Sequence, residues 1–589
     1  MKKFLFLIAA SLFISGTAMS QIQAKKATLG EDGRITVVDV LIDASMISNS
    51  REATELEGFP FGQPANPTFK NTRGATLADV DGDGNDEIIF GADKVLYCLK
   101  GDGSILWQRT LDGINILPPT VGDMNNDGQL EIAVNNAGLA ALGAAGKVYL
   151  LNANGEDLPG WPVSFDDHWM MNAPAMADVN GDGNLEIITG ERVSGSLGYI
   201  HILKMDGTEL EGWPVETTGN VAFTPSIGDI NNDGTMNIVS GLSGDGSLYA
   251  YDVDGNVLSG FPQMATDGKL SYQSVILADI DGDDHLEIIG SRHGDGAEYY
   301  AVKSDGTYAD GWPVAAAGWT YSPPSVADTD GDGQYEIFMG NPNTDGSDDP
   351  QPMDVLFGFA PDGSDLDNFP ISKLGGNEGV ITIADINNDG VTDIIFTSNT
   401  FTIDDGKGFI HAFAMDGSGE LDGFPLRTPG WSYMNSAILG DIDGDGSLDL
   451  TSLSYTNTFG GSVDSVFITA FDLGYPYIPE NIYFNAYKGS NVRDGLASGL
   501  VTSVPKRQVM PLAIYPNPAS NEVRIILPEN SHNANIEVFD IRGRKLINTK
   551  IGSEIGSAYV LNTSALKSGV YFVHIKVSDK NYLSKLVIE

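Results

Sequence analysis

The sequence predicts an all-β protein: a β-propeller, with eight blades favoured over seven, followed by a small antiparallel β-sandwich. Three observations lead to this prediction. An acidic loop motif recurs eight times, strand-like runs flank every copy, and 71 glycines among 589 residues suit many short strands joined by turns. The motif repeats about every 50 residues, which is the length of one four-stranded propeller blade.

The repeat has the pattern Asp-x-Asp/Asn-x-Asp-Gly-x-x-acid, with small departures. A β-branched run such as 87–90 follows each loop, and an alternating strand then leads into an Asp-Gly turn such as Asp206-Gly207, a strong hairpin signal. A Gly-Trp/Phe-Pro segment such as 160–162 comes next, and its uniform repetition indicates aromatic wedges in the core. The eight copies begin at Asp79, Asp123, Asp178, Asp229, Asp279, Asp328, Asp385 and Asp441.

The two ends of the repeat array predict how the ring closes. One such unit cannot bury both faces of its sheet, whereas a closed ring of units can. An early Gly-Phe-Pro segment, 58–60, precedes the first loop and is expected to be the outer strand of a blade whose inner strands come from the end of the array. The repeat pattern fades after Phe471, and residues 475–485 are interpreted as part of that closing blade.

The acidic loops are predicted to bind calcium, which takes about 6–8 oxygen ligands. Side chains at loop positions 1, 3 and 5 can converge on one centre, glycine at position 6 permits the turn, position 7 offers its backbone carbonyl, and the acid at position 9 completes the shell. The predicted ligands are Asp79, Asp81, Asp83, Asn85 and Glu87; Asp123, Asn125, Asp127, Gln129 and Glu131; Asp178, Asn180, Asp182, Asn184 and Glu186; Asp229, Asn231, Asp233 and Thr235; Asp279, Asp281, Asp283, His285 and Glu287; Asp328, Asp330, Asp332, Gln334 and Glu336; Asp385, Asn387, Asp389, Val391 and Asp393; and Asp441, Asp443, Asp445, Ser447 and Asp449.

Charge and composition favour a cation-loaded chain with up to eight calcium ions. Eight divalent ions would change the formal charge from -47 to -31. Many flexible oxygen ligands favour calcium over magnesium, and the lack of cysteine and histidine ligands argues against zinc. Loop four ends in Asn237, and loop five replaces the position-6 glycine with Asp284, so these two loops are expected to be the weakest sites.

With these loops the chain resembles the FG-GAP/VCBS repeat family over roughly residues 58–497. The resemblance implies that each calcium loop joins the first and second strands of a blade, and that ligands bind on the opposite face. The FG-GAP motif itself is poorly kept, because Gly-Trp/Phe-Pro takes its place.

The N-terminus predicts export. Lys2 and Lys3 precede an apolar run, 4–14, and small residues at Ala18 and Ser20 suit cleavage after Ser20, so residues 1–20 are predicted to be a signal peptide. Its apolar core is too short to span a membrane, and no other transmembrane candidate exists. Residues 21–57 are predicted to be an N-terminal segment before the propeller. The strongly acidic composition of the chain excludes nucleic acid as a partner.

The C-terminal part changes character after a linker, 498–510. Short strand-like runs in 511–589 predict the antiparallel sandwich. The segments 514–519, 538–544, 566–573 and 585–589 closely resemble the type A sorting domain of the bacterial type IX secretion system. That resemblance implies passage across the outer membrane by this machinery, followed by attachment to the cell surface or release.

Three functions stay open on sequence. The leading hypothesis is a non-catalytic surface or extracellular protein that binds a polysaccharide or protein ligand. The alternatives are a polysaccharide-degrading lyase or hydrolase and a purely structural scaffold, and the sequence singles out no catalytic residue. Aromatic residues recur shortly before the loops and could contact a ligand at the channel mouth opposite the calcium loops or pack between blades: Trp169, Phe223, Tyr272, Trp319, Tyr321, Trp431 and Tyr433.

Overall fold

The computed structural model describes residues 6–8, 21–29, 35–43, 53–69, 72–138, 145–166, 168–170, 172–194, 197–221, 223–243, 246–264, 274–292, 298–316, 320–342, 351–399, 406–432, 434–456, 465–497, 509–511, 514–515, 519, 522–526, 535–540, 545–550, 558–563, 566–567, 569–577 and 580–588. Apart from strand Phe6–Ile8, the predicted signal peptide lies outside the described residues, and so does the linker 498–508. The chain divides into two compact units, Met1–Gly499 and Leu500–Glu589.

The first unit contains eight successive sheets of four or more strands, so the propeller has eight blades. The innermost strands are Thr76–Ala78, Thr120–Gly122, Ala175–Ala177, Ser226–Gly228, Ile276–Ala278, Ser325–Ala327, Thr382–Ala384 and Ala437–Gly440. The second strands are Glu87–Ala92, Glu131–Asn136, Glu186–Ser194, Asn237–Ser243, Glu287–Ser291, Glu336–Gly340, Asp393–Ser398 and Ser447–Tyr455. The third strands are Val95–Leu99, Lys147–Leu151, Leu197–Leu203, Leu248–Tyr251, Glu298–Val302, Met353–Phe359, Gly408–Ala414 and Ser465–Pro476.

The outermost strands are shorter and less regular. They are Ile105–Thr110, Val163–Ser164, Val215–Thr217, Val314–Ala315, Ile371–Lys373, Gly419–Glu420 with Leu426–Thr428, and, for the last blade, Thr54–Glu55 and Phe61–Pro64. In blade 4 this place is taken by a single bridge between Leu248 and Gln263, and a short strand, Asn220–Val221, pairs instead with the second strand.

Every acidic loop joins the first strand of a blade to its second strand, so all eight lie at one end of the ring, called the loop face here. The second strands run away from these loops, and their ends mark the opposite end, called the far face. The core lies between neighbouring blades: Val80, Ile89 and Leu96 of blade 1 pack in one cluster with Ile132 and Tyr149 of blade 2. A propeller built in this way buries both faces of each small sheet.

The N-terminus closes the ring as predicted. Strand Phe61–Pro64 pairs with residues 465–468 of the third strand of blade 8, and Thr54–Glu55 pairs with Phe471 and Asp472 of the same strand. Blade 8 is therefore completed from both ends of the propeller, so that its third strand is paired along its outer side.

The Gly-Trp/Phe-Pro segments are wedges between blades, which confirms the prediction. The indole nitrogens of Trp161, Trp213 and Trp312 each donate, at 2.8 Å, to a backbone carbonyl beside the Asp-Gly turn of the next blade. Gly160 has φ +95°, and a Cβ there would collide with the carbonyl oxygen of Asp206 in that turn. Glycine is required because two backbones meet at this point.

After blade 8 the chain turns into the central channel, in contrast to the expected continuation of the closing blade. Strand Ile482–Phe484 pairs with the innermost strand of blade 7, and two 3-10 turns, Pro479–Asn481 and Tyr487–Gly489, accompany it. We call residues 479–497 the plug. Its backbone carbonyls then accept hydrogen bonds of 2.8–2.9 Å from the inner-strand N–H groups of Val121, Met176, Ile227 and Leu277 in blades 2 to 5.

The plug satisfies backbone groups that the ring leaves unpaired, because each innermost strand has a free edge toward the channel. It also places two cations in the core. Arg493 is fully buried and donates to the carbonyl oxygens of Pro119 and Tyr487, and Lys488 donates to the carbonyl oxygen of Pro225 at 2.6 Å. At its end the carbonyl of Ala497 accepts from Tyr335 in the sixth acidic loop, so residue 497 lies at the loop face.

The second unit is a two-sheet sandwich. One sheet has the strand order Val509–Pro511, Lys580–Ile588, Gly569–Val577, Asn535–Asp540 and Lys545–Lys550, and the other has the order Ile514–Tyr515, Glu522–Ile526 and Ala558–Asn562. Both sheets contribute to one core, in which Val523 and Ile525 pack with Val538 and Val573. The pairing of Val509–Pro511 is parallel, whereas the prediction was of a wholly antiparallel sandwich.

The described N-terminal residues form a three-stranded antiparallel sheet of Phe6–Ile8, Gln21–Leu29 and Ile35–Asp43. Among the residues that the structure describes, no helix has the length and apolar character needed to cross a membrane.

Replacing Arg493 with Met is expected to lower the free energy of unfolding by about 2–4 kcal/mol, because buried carbonyls lose a charged donor. Urea unfolding of the exported chain measures the change. The control is Arg109→Met, which removes a half-exposed ion pair with Asp157 and should cost under about 1 kcal/mol. Equal, small effects of the two substitutions would show that the plug does not hold the ring together.

Candidate metal centres and far face

The eight acidic loops share one hydrogen-bond geometry. The position-1 carboxylate accepts from the backbone N–H of position 6, at 2.7–3.1 Å in every loop. The position-5 carboxylate accepts from position 7, and the position-9 side chain accepts from position 2. These bonds tie the side chains of positions 1, 5 and 9 to the backbone of the loop itself in all eight copies.

In four loops the carboxylates come close enough to hold a metal ion. The groups are Asp79, Asp81 and Glu87; Asp279, Asp281 and Glu287; Asp328, Asp330 and Asp332; and Asp441, Asp443 and Asp449. Within each group the ligand oxygens lie within 4.8 Å of one another. These are loops 1, 5, 6 and 8, in which positions 1, 3, 5 and 9 are all acidic. Loops 2, 3, 4 and 7 carry asparagine at position 3.

Several loop oxygens accept no hydrogen bond although they are buried. One carboxylate oxygen has no partner in each of Asp79, Glu287, Asp393, Asp441 and Asp449. Glu287, Asp393 and Asp449 are 0 % exposed. A buried carboxylate oxygen without a donor costs several kcal/mol unless a cation compensates it, so these atoms are suitable metal ligands.

The electrostatics of position 9 also favour a bound cation. Burial raises the pKa of Glu87, Glu186 and Glu287 to about 7, and repulsion from neighbouring loop carboxylates adds to the effect. Burial likewise raises the pKa of Asp393 and Asp449 to about 7. A cation that binds such a loop has to compete with a proton, so its affinity should increase with pH.

The two loops expected to be weakest differ in structure. In loop 5, Asp284 replaces the glycine and adopts a left-handed backbone conformation, with φ +66°. Asp279, Asp281 and Glu287 of this loop nevertheless form one of the four groups. In loop 4 the amide oxygen of Asn237 replaces the position-9 carboxylate and accepts the same backbone N–H, from Ile230 at 3.0 Å. The relative weakness of both sites stays a prediction, as does the role of the position-7 carbonyls.

Among the predicted ligand-contacting aromatics, Trp169 lies on the far face between blades 2 and 3. Its backbone bridges Ala137 and Arg192, at the ends of the second strands. The ring is half-buried, meets Phe69 edge-on at 5.6 Å and has the Arg192 guanidinium 5.4 Å from its centroid. Its indole nitrogen is buried without a hydrogen-bond partner, so the accessible part of the ring is apolar surface.

The other described aromatics are Trp431, Phe223 and Tyr321. Trp431 is 5 % exposed and packs with Tyr455 and Ala65, an arrangement that favours packing over ligand contact. Phe223 and Tyr321 are half-buried, and the carbonyl of Tyr321 accepts from Arg73 at 2.5 Å. Three predicted positions lie outside the described residues: Tyr272, Trp319 and Tyr433.

Two histidine networks occupy equivalent places in the opposite blades 3 and 7, and sequence reasoning missed both. His201 lies between two carboxylates, with Nε2 2.9 Å from Glu191 and Nδ1 2.6 Å from Glu209. Carboxylates at both ring nitrogens favour the charged imidazole, in which both nitrogens donate. A signal was present in the sequence, because His201 and His411 stand on third strands with an acid eight or nine residues later.

In blade 7, His411 connects Glu420 to Ser398, with Nδ1 2.6 Å from the carboxylate and Nε2 2.8 Å from the hydroxyl. These contacts resemble those of a hydrolase triad. However, Ser398 is 0 % exposed and its hydroxyl also accepts from Lys373 at 2.9 Å. A buried, lysine-bonded hydroxyl is poorly placed to attack a substrate, so the network is better explained as strand packing.

Comparison with known proteins identifies the C-terminal unit. Residues 513–589 match the family model for the secretion system C-terminal sorting domain. This unit is a type IX secretion sorting domain. The match confirms the predicted sorting domain, and it means that the protein is exported across the outer membrane to the cell surface or the extracellular space.

The comparisons with whole chains are remote. The chain is similar to the V. cholerae biofilm matrix protein Bap1 (12 % identity, TM-score 0.47, covering 74 % of this chain and 94 % of that chain). It is also similar to the Dos1 propeller (12 %, 0.39, 72 % and 96 %) and to BBS1N in complex with ARL6DN (12 %, 0.36, 70 % and 96 %). No curated protein sequence matches the chain.

The pKa values of the two histidines are expected to be shifted in opposite directions from that of a free imidazole. Burial by itself lowers the pKa of His201, but its hydrogen bonds to Glu191 and Glu209 raise the pKa above the ordinary 6.5. Burial lowers the pKa of His411 to about 4. NMR of the ring carbons, assigned with His201→Gln and His411→Gln, should find His201 still charged at pH 6.5 and His411 neutral at pH 5.5.

The stabilisation from His201 should be complete below about pH 6.5, the pKa in the unfolded chain, and should be lost as the pH rises through the higher folded-state pKa. The difference in unfolding free energy between the wild type and His201→Gln should therefore decrease as the pH rises above the folded-state pKa of His201. A neutral His201 at pH 6.5 would contradict this account.

Proposed function

We propose that the protein is a calcium-loaded binding module, carried to the cell surface or released outside the cell, whose propeller repeats are of the FG-GAP/VCBS type. The buried carboxylate oxygens without hydrogen-bond partners, above all those of Glu287 and Asp449, carry this proposal. Hard oxygen ligands in flexible loops suit calcium better than zinc or magnesium. The proposed domains are the signal peptide, the N-terminal segment, the propeller, the linker and the sorting domain, with the boundaries 1–20, 21–57, 58–497, 498–510 and 511–589.

Calcium should be part of the folded state. Elemental analysis of the purified chain is expected to find at least four calcium ions per molecule, and excess chelator should lower the melting temperature by about 10 °C or more, because ions that bind only the folded state stabilise it. A chain that carries no calcium, or that melts at the same temperature with chelator, would rule out this part of the proposal.

Loop 8 provides a matched test of a single site. The double substitution Asp441→Asn and Asp449→Asn keeps the side-chain shapes but removes two charges and should remove one ion per molecule. Asp416→Asn is the control, because Asp416 lies in the Asp-Gly turn of blade 7, where its carboxylate accepts from the backbone N–H and hydroxyl of its own turn. Equal ion counts in both variants would show that loop 8 holds no ion.

The ligand is proposed to bind at the far face, with Trp169 as an anchor. The plug fills the channel and residue 497 at its end lies at the loop face, which favours the far face, the opposite end of the ring, for a ligand. A half-buried indole ring next to the Arg192 guanidinium combines a stacking surface with hydrogen-bond donors, which suits a polysaccharide or an aromatic-rich peptide.

A panel of immobilised polysaccharides and proteins, with a product assay on the same polysaccharides, tests this proposal. Trp169→Ala should weaken binding about tenfold or more, whereas Trp213→Phe, which alters a wedge between blades, should leave it unchanged. Binding without new reducing or unsaturated ends supports a binding module. Turnover of a polysaccharide would instead support the degrading enzyme, and full binding by Trp169→Ala would exclude this anchor.

A further inference from the structure

The four fully acidic loops differ in one neighbour outside the loop. The first residue after the loop pairs with a residue near the end of the third strand, so the next side chain along that strand lies beside the loop. In the blades of loops 1, 5, 6 and 8 this position holds Lys100, Lys303, Ala360 and Asp472. The position is outside the repeating motif, and the sequence pattern alone gives it no role.

The two lysines contact loop carboxylates directly. Lys100 Nζ lies 2.7 Å from Asp81 Oδ2 and 3.1 Å from Asp83 Oδ2. Lys303 makes the same pair of contacts in loop 5, to Asp281 Oδ2 and, at 3.3 Å, to Asp283 Oδ2. In both blades one ammonium group bridges positions 3 and 5, which are two of the predicted ligand positions.

Loops 6 and 8 have the same four carboxylates without this cation. Ala360 carries no charge, and Asp472 adds one more carboxylate beside loop 8, where its Oδ1 accepts from the Ser447 hydroxyl at 2.5 Å. No lysine or arginine forms an ion pair with either loop within the described part of the chain. The net charge that faces a metal ion therefore becomes more negative from loops 1 and 5 to loop 6 and then to loop 8.

We propose that this flanking residue sets the affinity of each loop for its divalent cation, so that Lys100 and Lys303 weaken loops 1 and 5 while Asp472 strengthens loop 8. The inference rests on the proposed metal-binding function. Independent evidence for a cation in these loops comes from the partnerless buried oxygens of Glu287 in loop 5 and Asp449 in loop 8. An ammonium group and a calcium ion that share two carboxylates repel each other, so binding of the ion displaces the lysine or is weakened by it.

The consequence is a graded response to calcium. Loops 6 and 8 fill first as the calcium concentration rises, and loops 1 and 5 fill at higher concentrations. Loops 1 and 5 lie on opposite sides of the ring, and blade 1 is next to the closing blade 8. Binding of calcium to these two loops at higher concentration therefore stiffens two distant blades together.

Competition titration of the calcium-free full chain against a chromophoric chelator tests the proposal. In Lys100→Met/Lys303→Met, the two weaker binding steps should tighten about tenfold, while the number of ions stays unchanged. The reverse substitution, Ala360→Lys, should weaken one tight step by about the same factor. Circular dichroism of each calcium-loaded variant checks that the fold is kept.

The control is Lys147→Met/Lys94→Met, which removes the same charge. Lys147 pairs with Asp112, outside the loops, and Lys94 lies in the far-face turn between Glu87–Ala92 and Val95–Leu99, with no ion pair among the described residues. Unchanged binding steps in the test variant, or an equal shift in the control, would overturn the inference. A wild-type chain that binds no calcium would instead overturn the proposed metal-binding function, so the two failures are distinguishable.

Discussion

Repulsion between gathered carboxylates is the constraint on which the rest of this structure depends. Each acidic loop folds its position-1, position-5 and position-9 side chains around backbone N–H groups, and in loops 1, 5, 6 and 8 the carboxylates come close together. The loops join the first two strands of every blade, so the alignment of each sheet depends on how this repulsion is relieved. Lysine relieves part of it in loops 1 and 5. Buried oxygens in loops 1, 5, 7 and 8 still remain without a donor, a condition that a bound cation removes.

Non-covalent contacts hold the ring together. Cys98 is the single cysteine, so no disulfide within the chain is possible. Closure depends on the N-terminal strands that complete blade 8, on the tryptophan wedges between blades, and on the plug. The plug has two effects: it pairs the free inner edges of successive blades, and it fills the channel with Lys488 and Arg493. The plug therefore occupies the channel on the axis of the ring, and the proposed ligand site is placed on the far face around Trp169 instead.

Much of the fold could be predicted because short, repeated sequence patterns determine it. Glycine and acid spacing gave the number of blades, and the early Gly-Phe-Pro segment gave the closing strand that pairs with residues 465–468. The plug could not be predicted, since its contacts are backbone hydrogen bonds to distant strands and its residues follow no repeat. The histidine networks were missed for a related reason: His201 and Glu191 are ten residues apart, and only strand pairing brings them together. The loops were predicted to differ through residues inside the motif, Asn237 and Asp284, whereas the structure also places a different flanking residue, outside the motif, beside each of loops 6 and 8 and a lysine beside loops 1 and 5.

The most direct test is a crystal structure of the exported chain with anomalous diffraction measured at a wavelength where calcium scatters strongly. The account predicts a calcium peak in loops 6 and 8, each about 2.3–2.6 Å from the oxygens of positions 1, 3, 5 and 9. In crystals grown with millimolar calcium it also predicts peaks in loops 1 and 5, with Lys100 and Lys303 displaced from their aspartates. Well-ordered loops that keep the hydrogen bonds described above but contain only water would contradict the central claim.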